Sequence, residues 1–415
     1  MDKDITETLE IQDFFSISHI KWEIKRFNII TGDMAAGKSL CIKLLKFFED
    51  IIPNLLILPY DNFLKYLDAS QCFAYITKEF LDIFEFHSSE SNKLQQFRIT
   101  YNFNYKEQTF NMKIIRSDDG NINFESASLT ELLKEWDAHL QKKKNATPDG
   151  FEETKQALYS SLFRKFGEYF PIATTFIPAS RAALAFNPSS IDEHLKQFKG
   201  LIDVLPLPRF KARNQEIVNT ILKAKISIED GTLYFISNDD RKVRLSKASS
   251  GQQEIVYLLL ILDKLGNFHY TYGKYHSLFI EEPEAQLFPL RQRQVIEFIV
   301  QMYNLLKENG NSVRCFITTH SPYILNTLNN ILKKGSLLEK YKDKSEKINK
   351  AIDIPHLYAD EISANFLDGN GGWENMLDED ENYLFADKIA EISYAIDEIS
   401  ADLSVLNNEL LSEQE

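Results

Sequence analysis

Phe27-Asn28-Ile29-Ile30-Thr31-Gly32-Asp33-Met34-Ala35-Ala36-Gly37-Lys38-Ser39 is the stretch on which the reading turns. An apolar strand runs into a loop that fits G-x-x-x-x-G-K-[ST] from Gly32 to Ser39, and a helix pattern follows from Ser39 to Phe48. The chemistry explains the spacing. Backbone N–H groups of such a loop, together with a helix N-terminus, wrap phosphate oxygens. Gly32, Asp33, Ala35, Ala36 and Gly37 are therefore candidate phosphate contacts. Lys38 is placed to reach the terminal phosphates, and the Ser39 hydroxyl to ligate Mg²⁺. The pattern can arise by chance, but a strand before it and a helix after it predict a loop that binds a nucleoside triphosphate.

Three later motifs carry compatible chemistry. Leu278-Phe279-Ile280-Glu281-Glu282 is a short apolar strand ending in two carboxylates. One acid suits the metal side and the other can orient or deprotonate an attacking water. Paired acids also often just cap a strand. Pro283-Glu284 stops that strand at the carboxyl edge of the sheet, where ligands gather in open α/β folds. Ala248-Ser249-Ser250-Gly251-Gln252-Gln253-Glu254 opens an apolar helix and offers hydroxyl and amide donors to an anion. An ordinary helix cap explains that turn on its own. Phe316-Ile317-Thr318-Thr319-His320-Ser321-Pro322 ends a strand in an imidazole and starts a helix at Ser-Pro. A lone His is usually structural; the three phosphate-related motifs ahead of it raise the functional reading.

Around these motifs the chain reads as strands alternating with helices, hence a mainly parallel sheet. Strand patterns fall at 9–30, 174–177, 277–280 and 313–318, with helices after Gly251 and up to Leu306. Alternation at Phe97, Ile99, Tyr101, Phe103 and Tyr105, resumed at Phe110, Met112 and Ile114 after Lys106-Glu107, predicts a β-hairpin. Residues 128–170 look helical and polar around a break at 145–150. The expected organisation is a first ATPase lobe with a β subdomain at 1–126, a helical insertion at 127–170, a second lobe at 171–380 and a helix at 381–415. In that last segment Phe385, Ile389, Ile392, Ile396, Ile399, Leu403, Leu406 and Leu410 form an a/d seam. Such a narrow seam suits pairing with another helix better than packing on its own domain.

Composition excludes several classes. The 415 residues are 44% hydrophobic and 12% aromatic, which argues for a folded chain with a large core. No apolar run approaches the roughly 18–20 residues that span a bilayer, and Met1-Asp2-Lys3-Asp4-Ile5 lacks the pattern of a signal peptide. Cys41, Cys72 and Cys315 have no metal spacing, so buried thiols in a reducing cytoplasm are expected and a zinc site is not. A net charge of −14 disfavours a broad DNA-coating surface. Basic character is confined to Lys142–Lys144 and to 333–350, with seven lysines against three acids, and both read as solvated faces.

In their order, the phosphate loop, the Ser249-Ser250-Gly251-Gln252 turn, Glu281-Glu282-Pro283-Glu284 and Thr318-Thr319-His320-Ser321-Pro322-Tyr323 resemble ABC-type ATPases of the RecF, SMC and OLD kind. Ile177-Pro178-Ala179-Ser180-Arg181 is also similar to a strand-end segment of these proteins. The resemblance implies an α/β ATPase head with an antiparallel β subdomain, and ATP with Mg²⁺ as ligands. It implies Ser39 and Glu281 on the metal side, Glu282 as general base and His320 as a γ-phosphate sensor. Ser249, Ser250, Gly251 and Gln252 would meet the nucleotide of an opposing subunit, giving a homodimer or larger homo-oligomer. Ser250 stands where the usual signature has Gly, and Phe288 where a His often follows. With 95 residues after His320, an OLD-type nuclease domain is not expected. The chain most resembles stand-alone ATPases of bacterial anti-phage systems. That implies a separate Toprim/DUF4435-type nuclease effector, a phage-encoded trigger protein and no membrane. A RecF-like DNA-binding ATPase is the alternative; a transporter ATPase fits poorly.

Overall fold

The computed structural model describes residues 5–84, 96–142, 151–167, 170, 173–179, 181–186, 212–229, 232–265, 275–378 and 382–385. Alternating apolar residues build the first layer. Strands β1 (Ile5–Phe14) and β2 (Ile17–Glu23) form a hairpin whose inward side chains include Leu9, Ile11, Ile20 and Trp22. The apolar strand β3 (Phe27–Gly32) belongs to a different sheet and feeds the phosphate loop and helix α1 (Lys38–Ile57). The helix runs nine residues beyond the expected Phe48 and passes through Pro53. Ile51, Ile52, Leu55 and Leu56 are buried on either side of Pro53, and their packing holds the last turns against its missing N–H.

Helices α2 (Tyr60–Lys65) and α3 (Ala69–Ile83) follow, the latter capped by the Asp68 side chain on the Gln71 N–H. The expected hairpin is present as β4 (Phe97–Tyr105) and β5 (Gln108–Arg116), with β6 (Ile122–Glu125) beyond it. These strands complete an antiparallel sheet of order β2-β1-β4-β5-β6, in register Leu9 to Tyr101 and Ile11 to Ile99. Helices α4 (Ala127–Lys142) and α5 (Phe151–Phe166) flank the break expected at 145–150, which lies outside the described residues. Trp136, Leu162 and Phe166 share one core with Phe103, Phe110 and the inner face of α1.

The second sheet orders as β14-β13-β3-β12-β11-β7. It is made from β3, β7 (Ala173–Ile177), β11 (Tyr275–Glu281), β12 (Ser312–Thr318), β13 (Ile362–Leu367) and β14 (Trp373–Asn375). All pairings are parallel except β13 with β14. Both faces are covered, as a parallel sheet requires. Phe279 and Phe316 face the α1 core. Leu278, Ile280 and Ile317 face a second core built by α6 (Ala212–Leu222), α7 (Ser250–Leu265), α8 (Pro289–Glu308) and α9 (Pro322–Lys340). A three-stranded sheet of β8 (Lys225–Glu229), β9 (Thr232–Ile236) and β10 (Lys242–Arg244), the short helix α10 (Ser345–Ala351), and the two-residue pair β15 (Leu377–Asp378) and β16 (Tyr383–Leu384) complete the described fold.

Among the described residues no helix is long and apolar enough to cross a membrane. The three cysteines are buried and unpaired, and burial pushes Cys41 and Cys72 up to about 12. The 333–350 segment places Lys333, Lys340, Lys342, Lys344, Lys347 and Lys350 at an exposed corner, mixed with Glu339, Asp343 and Glu346. The expected seam after Phe385 and the Lys143–Lys144 patch lie outside the described residues.

Candidate nucleotide site

The carboxyl ends of β3, β12 and β11 lie side by side and bring three of the sequence motifs to one edge. At the end of β3, Gly32 adopts φ of 141°, and a Cβ there would lie 1.9 Å from the Leu367 carbonyl oxygen on β13. Only glycine lets the chain leave the strand in this direction. Ala35 follows with φ of 59°, and Gly37 caps α1 with φ of 109°. Ser39 is half-buried in the first turn of α1. The Lys38 ammonium is buried and donates to the carbonyls of Gly32 at 3.0 Å and Asp33 at 2.5 Å. Burial lowers it to about 8, partly offset by the negative charges of Glu282, Asp33 and Glu284.

On β11, Glu281 is 5% exposed. Its Oε2 accepts the Ala179 N–H at 3.0 Å, while its Oε1 is buried without a hydrogen-bond partner and lies 3.9 Å from the Lys43 ammonium. A buried carboxylate oxygen with no donor is costly unless a cation completes it. The Thr31 and Thr318 hydroxyls, at the ends of β3 and β12, are buried without hydrogen-bond partners too. This set fits Mg²⁺, which takes one or two protein oxygens and fills its other positions with phosphate and water. Among the described residues no three His, Cys, Asp or Glu are arranged to hold a metal ion by themselves.

Glu282 sits just past the strand with φ of 42°, a left-handed conformation rare for this residue, and its N–H donates to Thr318 O at 3.0 Å. Its carboxylate is half-buried, 3.7 Å from Nε2 of His320. The His320 ring also meets the Gly32 carbonyl, and burial together with the Lys38 charge lowers its affinity for protons. A neutral imidazole beside a carboxylate and a lysine can report an incoming phosphate by hydrogen bonding.

The sequence motifs include the residues that hold these groups in place but do not show that role. Glu284 accepts from the Thr319 hydroxyl at 2.7 Å and the His320 N–H at 2.8 Å, fixing the backbone that carries the imidazole. Burial raises Glu284, and its second oxygen has no hydrogen-bond partner. Arg181 is fully buried and donates to the carbonyls of Glu281 at 2.8 Å, Glu282 at 3.1 Å and Glu254 at 3.0 Å. It ties the two-acid turn to α7 and braces the unusual backbone of Glu282. Ser321 caps α9 through the Tyr323 N–H and donates to Gln292 at 2.5 Å.

The signature turn is a capping box in this chain. The Ser249 hydroxyl accepts the Gln252 N–H at 3.3 Å, while Gln252 Oε1 accepts from the Ser249 N–H at 3.3 Å and its hydroxyl at 3.1 Å. Gly251 packs where a Cβ would come within 2.8 Å of Gln286 O, on the loop after the acids. Ser249 and Ser250 are exposed. The fold thus gathers Gly32 to Ser39, Glu281, Glu282 and His320 at one edge, and presents the signature residues outward.

Residues 137–325, a little under half of the chain, match the family model of an AAA ATPase domain. That stretch holds the signature, both acids and His320, and stops short of the phosphate loop. Comparison with curated proteins gives no match. Among solved structures the chain is similar to an SMC head domain from Thermotoga maritima, at 13% identity over 78% of this chain and 91% of that one, with a TM-score of 0.35. It is also similar to RecF with ATP, described as a recombination mediator of the RecFOR pathway. There the identity is 10% over 90% of this chain and 99% of that one, with a TM-score of 0.37. Values this low leave the functional reading to the strand order and the site. The strand order, with β12 between the phosphate-loop strand and the acidic strand and an antiparallel sheet against α1, is the expected α/β architecture of a mainly parallel sheet with an antiparallel β subdomain.

Proposed function

We propose that this chain is an ABC-type ATPase of the RecF/SMC group that binds ATP with Mg²⁺ and hydrolyses it slowly. The observation that carries this reading is the convergence of Lys38, the orphaned Glu281 oxygen, Glu282 and His320 at one sheet edge. Ser39 and Glu281 would hold Mg²⁺, which supplies charge neutralisation at the phosphates when bound. Lys38 neutralises the terminal phosphates, Glu282 takes the proton of the attacking water, and His320, beside Glu282, senses the γ-phosphate. Ser249 to Gln252 would complete the site of a second copy, so that nucleotide holds two heads together. The biological role we propose is a cytoplasmic sensor and scaffold in phage defence. It would hold a separate Toprim/DUF4435-type nuclease and release it on meeting a phage protein, as implied by the resemblance to the ATPase subunit of the PARIS system.

Glu282→Gln tests the core of this reading. It keeps the shape and removes the base, so turnover should fall by about 10²–10⁴-fold while ATP stays bound and assembly mass in MgATP rises. Normal turnover would remove Glu282 as base. A RecF-like DNA-binding role is the second reading, favoured by the exposed lysine corner at 333–350. Tight duplex binding with a steep salt dependence in a mobility shift would select it; binding lost when those lysines are changed would locate it.

A further inference from the structure

We infer that Asp33 is a positioning residue that latches the phosphate loop to the turn between β13 and β14, an inference that rests on the nucleotide reading above. Strands β3 and β13 run parallel in register, Gly32 opposite Leu367. Where β3 ends, pairing continues into the loop, with the Asp33 N–H donating to Leu367 O at 3.1 Å. The exposed Asp33 side chain reaches the neighbouring turn, where its Oδ2 accepts the Gly369 N–H at 3.0 Å. The receiving turn is preformed. Asp368 Oδ1 accepts from the Asn370 N–H at 2.9 Å and the Gly372 N–H at 2.6 Å, and Gly371 O accepts the Ser18 hydroxyl at 2.8 Å. Beside Ser18, the Ser16 hydroxyl donates to Ala36 O at 2.9 Å, at the far end of the phosphate loop. The β1–β2 turn and the β13–β14 turn therefore form one bracket around the loop.

The bracket answers a problem of charge. A carboxylate in a loop that binds a triphosphate repels its ligand unless it is turned outward and hydrogen-bonded. It also answers a problem of entropy. Lys38 now donates to Gly32 O and Asp33 O; once phosphates recruit that ammonium, those two bonds are lost. The bonds from Asp33 to Leu367 and Gly369 remain to hold the loop open, so its N–H groups stay aimed at the phosphates without a fresh ordering cost.

The two effects give opposite signs for Asp33→Ala. Charge alone predicts tighter MgATP binding, whereas the latch predicts weaker binding, by about three- to tenfold for one lost hydrogen bond. Asp33→Asn loses the charge but keeps an acceptor for Gly369, and should recover to within about threefold of the native affinity. Hydrogen exchange in the nucleotide-free protein reads the latch directly: the Gly369 amide should exchange faster in Asp33→Ala than in the native chain or Asp33→Asn. Asp33→Ala binding as tightly as the native chain or tighter, or an unchanged Gly369 amide, overturns the latch. If the native protein binds no MgATP while Gly369 exchange still responds to Asp33→Ala, the nucleotide reading is what has failed, and the latch's role in it falls too.

Discussion

Strand β12 carries charge at both ends, and the two ends are finished differently. Near its start, Arg314 is 1% exposed and donates to Glu7 on β1, to Glu49 on α1 at 2.6 Å and to Ser277 on β11 at 2.8 Å. Tyr101 closes the cluster by donating to Glu7 at 2.8 Å. Beyond its other end lie the Thr318 hydroxyl and the facing Glu281 oxygen, both without hydrogen-bond partners, and His320 beside Glu282. One end binds the antiparallel sheet, α1 and the parallel sheet together through one arginine shared by two carboxylates, with only Arg314 Nε and Glu49 Oε2 left without a hydrogen bond. The other has no such direct pair: the Thr318 hydroxyl and Glu281 Oε1 are buried without a hydrogen bond, and the Lys43 ammonium is 3.9 Å from that carboxylate oxygen. A fold retains such a cost where a ligand completes the set, so the comparison separates residues that hold the head together from residues that wait for something.

The largest expected effect breaks the ion-paired end. Arg314→Met leaves Glu7 and Glu49 buried with no cation, at about 3–5 kcal/mol of unfolding free energy. Denaturant titration reads this. Burial pushes the Glu49 carboxyl up, against the pull of the Arg314 charge. The native state therefore binds that proton more tightly than the unfolded state does, and the stability it contributes is full in acid and declines as pH rises through the raised native value. A loss under 1 kcal/mol in Arg314→Met would show that the cluster is not the structural half of the comparison.

At the open end the effect moves from stability to ligand. Lys38→Ala removes a desolvated cation, so unfolding free energy should stay within about 1 kcal/mol of native, while MgATP binding weakens by about 2–5 kcal/mol. The pH dependence has a definite sign. Free Lys38 titrates near 8, and phosphates must raise it, so above pH 8 the complex takes up a proton. Native affinity should therefore fall as pH rises through 8, and calorimetry at pH 8.5 in buffers of different ionisation enthalpy should show the uptake. A flat affinity from pH 7 to 9.5 would mean that Lys38 does not meet the phosphates.

How much of this was legible beforehand follows from how local each signal is. The phosphate loop, the two acids and His320 each ride on a strand-to-turn transition written in consecutive residues, and the hairpin at 97–116 shows in plain alternation. Arg181, Glu284 and the Asp33 to Gly369 bond are contacts between segments up to 336 residues apart, and no period marks them. Asp368-Gly369-Asn370-Gly371-Gly372 looks like any loop until β13 is seen to pair with β3. Some of the misses were readable. Asp68 before Cys72, Ile76 and Phe80 is a capped helix face, and α3 could have been drawn from it. Helix α1 outruns the pattern that ends at Phe48 because Ile51, Ile52, Leu55 and Leu56 are buried on either side of Pro53.

The smallest expected effect is at Ser249, where two explanations share one side chain. As a cap, its hydroxyl is replaceable: an Asp carboxylate still accepts the Gln252 N–H and loses only the exposed donation to Gln252 Oε1. Ser249→Asp should therefore change stability by no more than about 1 kcal/mol. The added carboxylate also sits at a helix N-terminus, where negative charge is favourable. As a contact to a neighbour's γ-phosphate, the same substitution is prohibitive, because it sets one anion against another. Measured in a Glu282→Gln background with MgATP, the mass of the assembly should therefore return to that of the nucleotide-free protein, while the melting curve barely moves. A variant that still pairs on adding MgATP would leave Ser249 as a helix cap and nothing more. The groups left without a hydrogen bond at the end of β12 would then have to be completed within one chain.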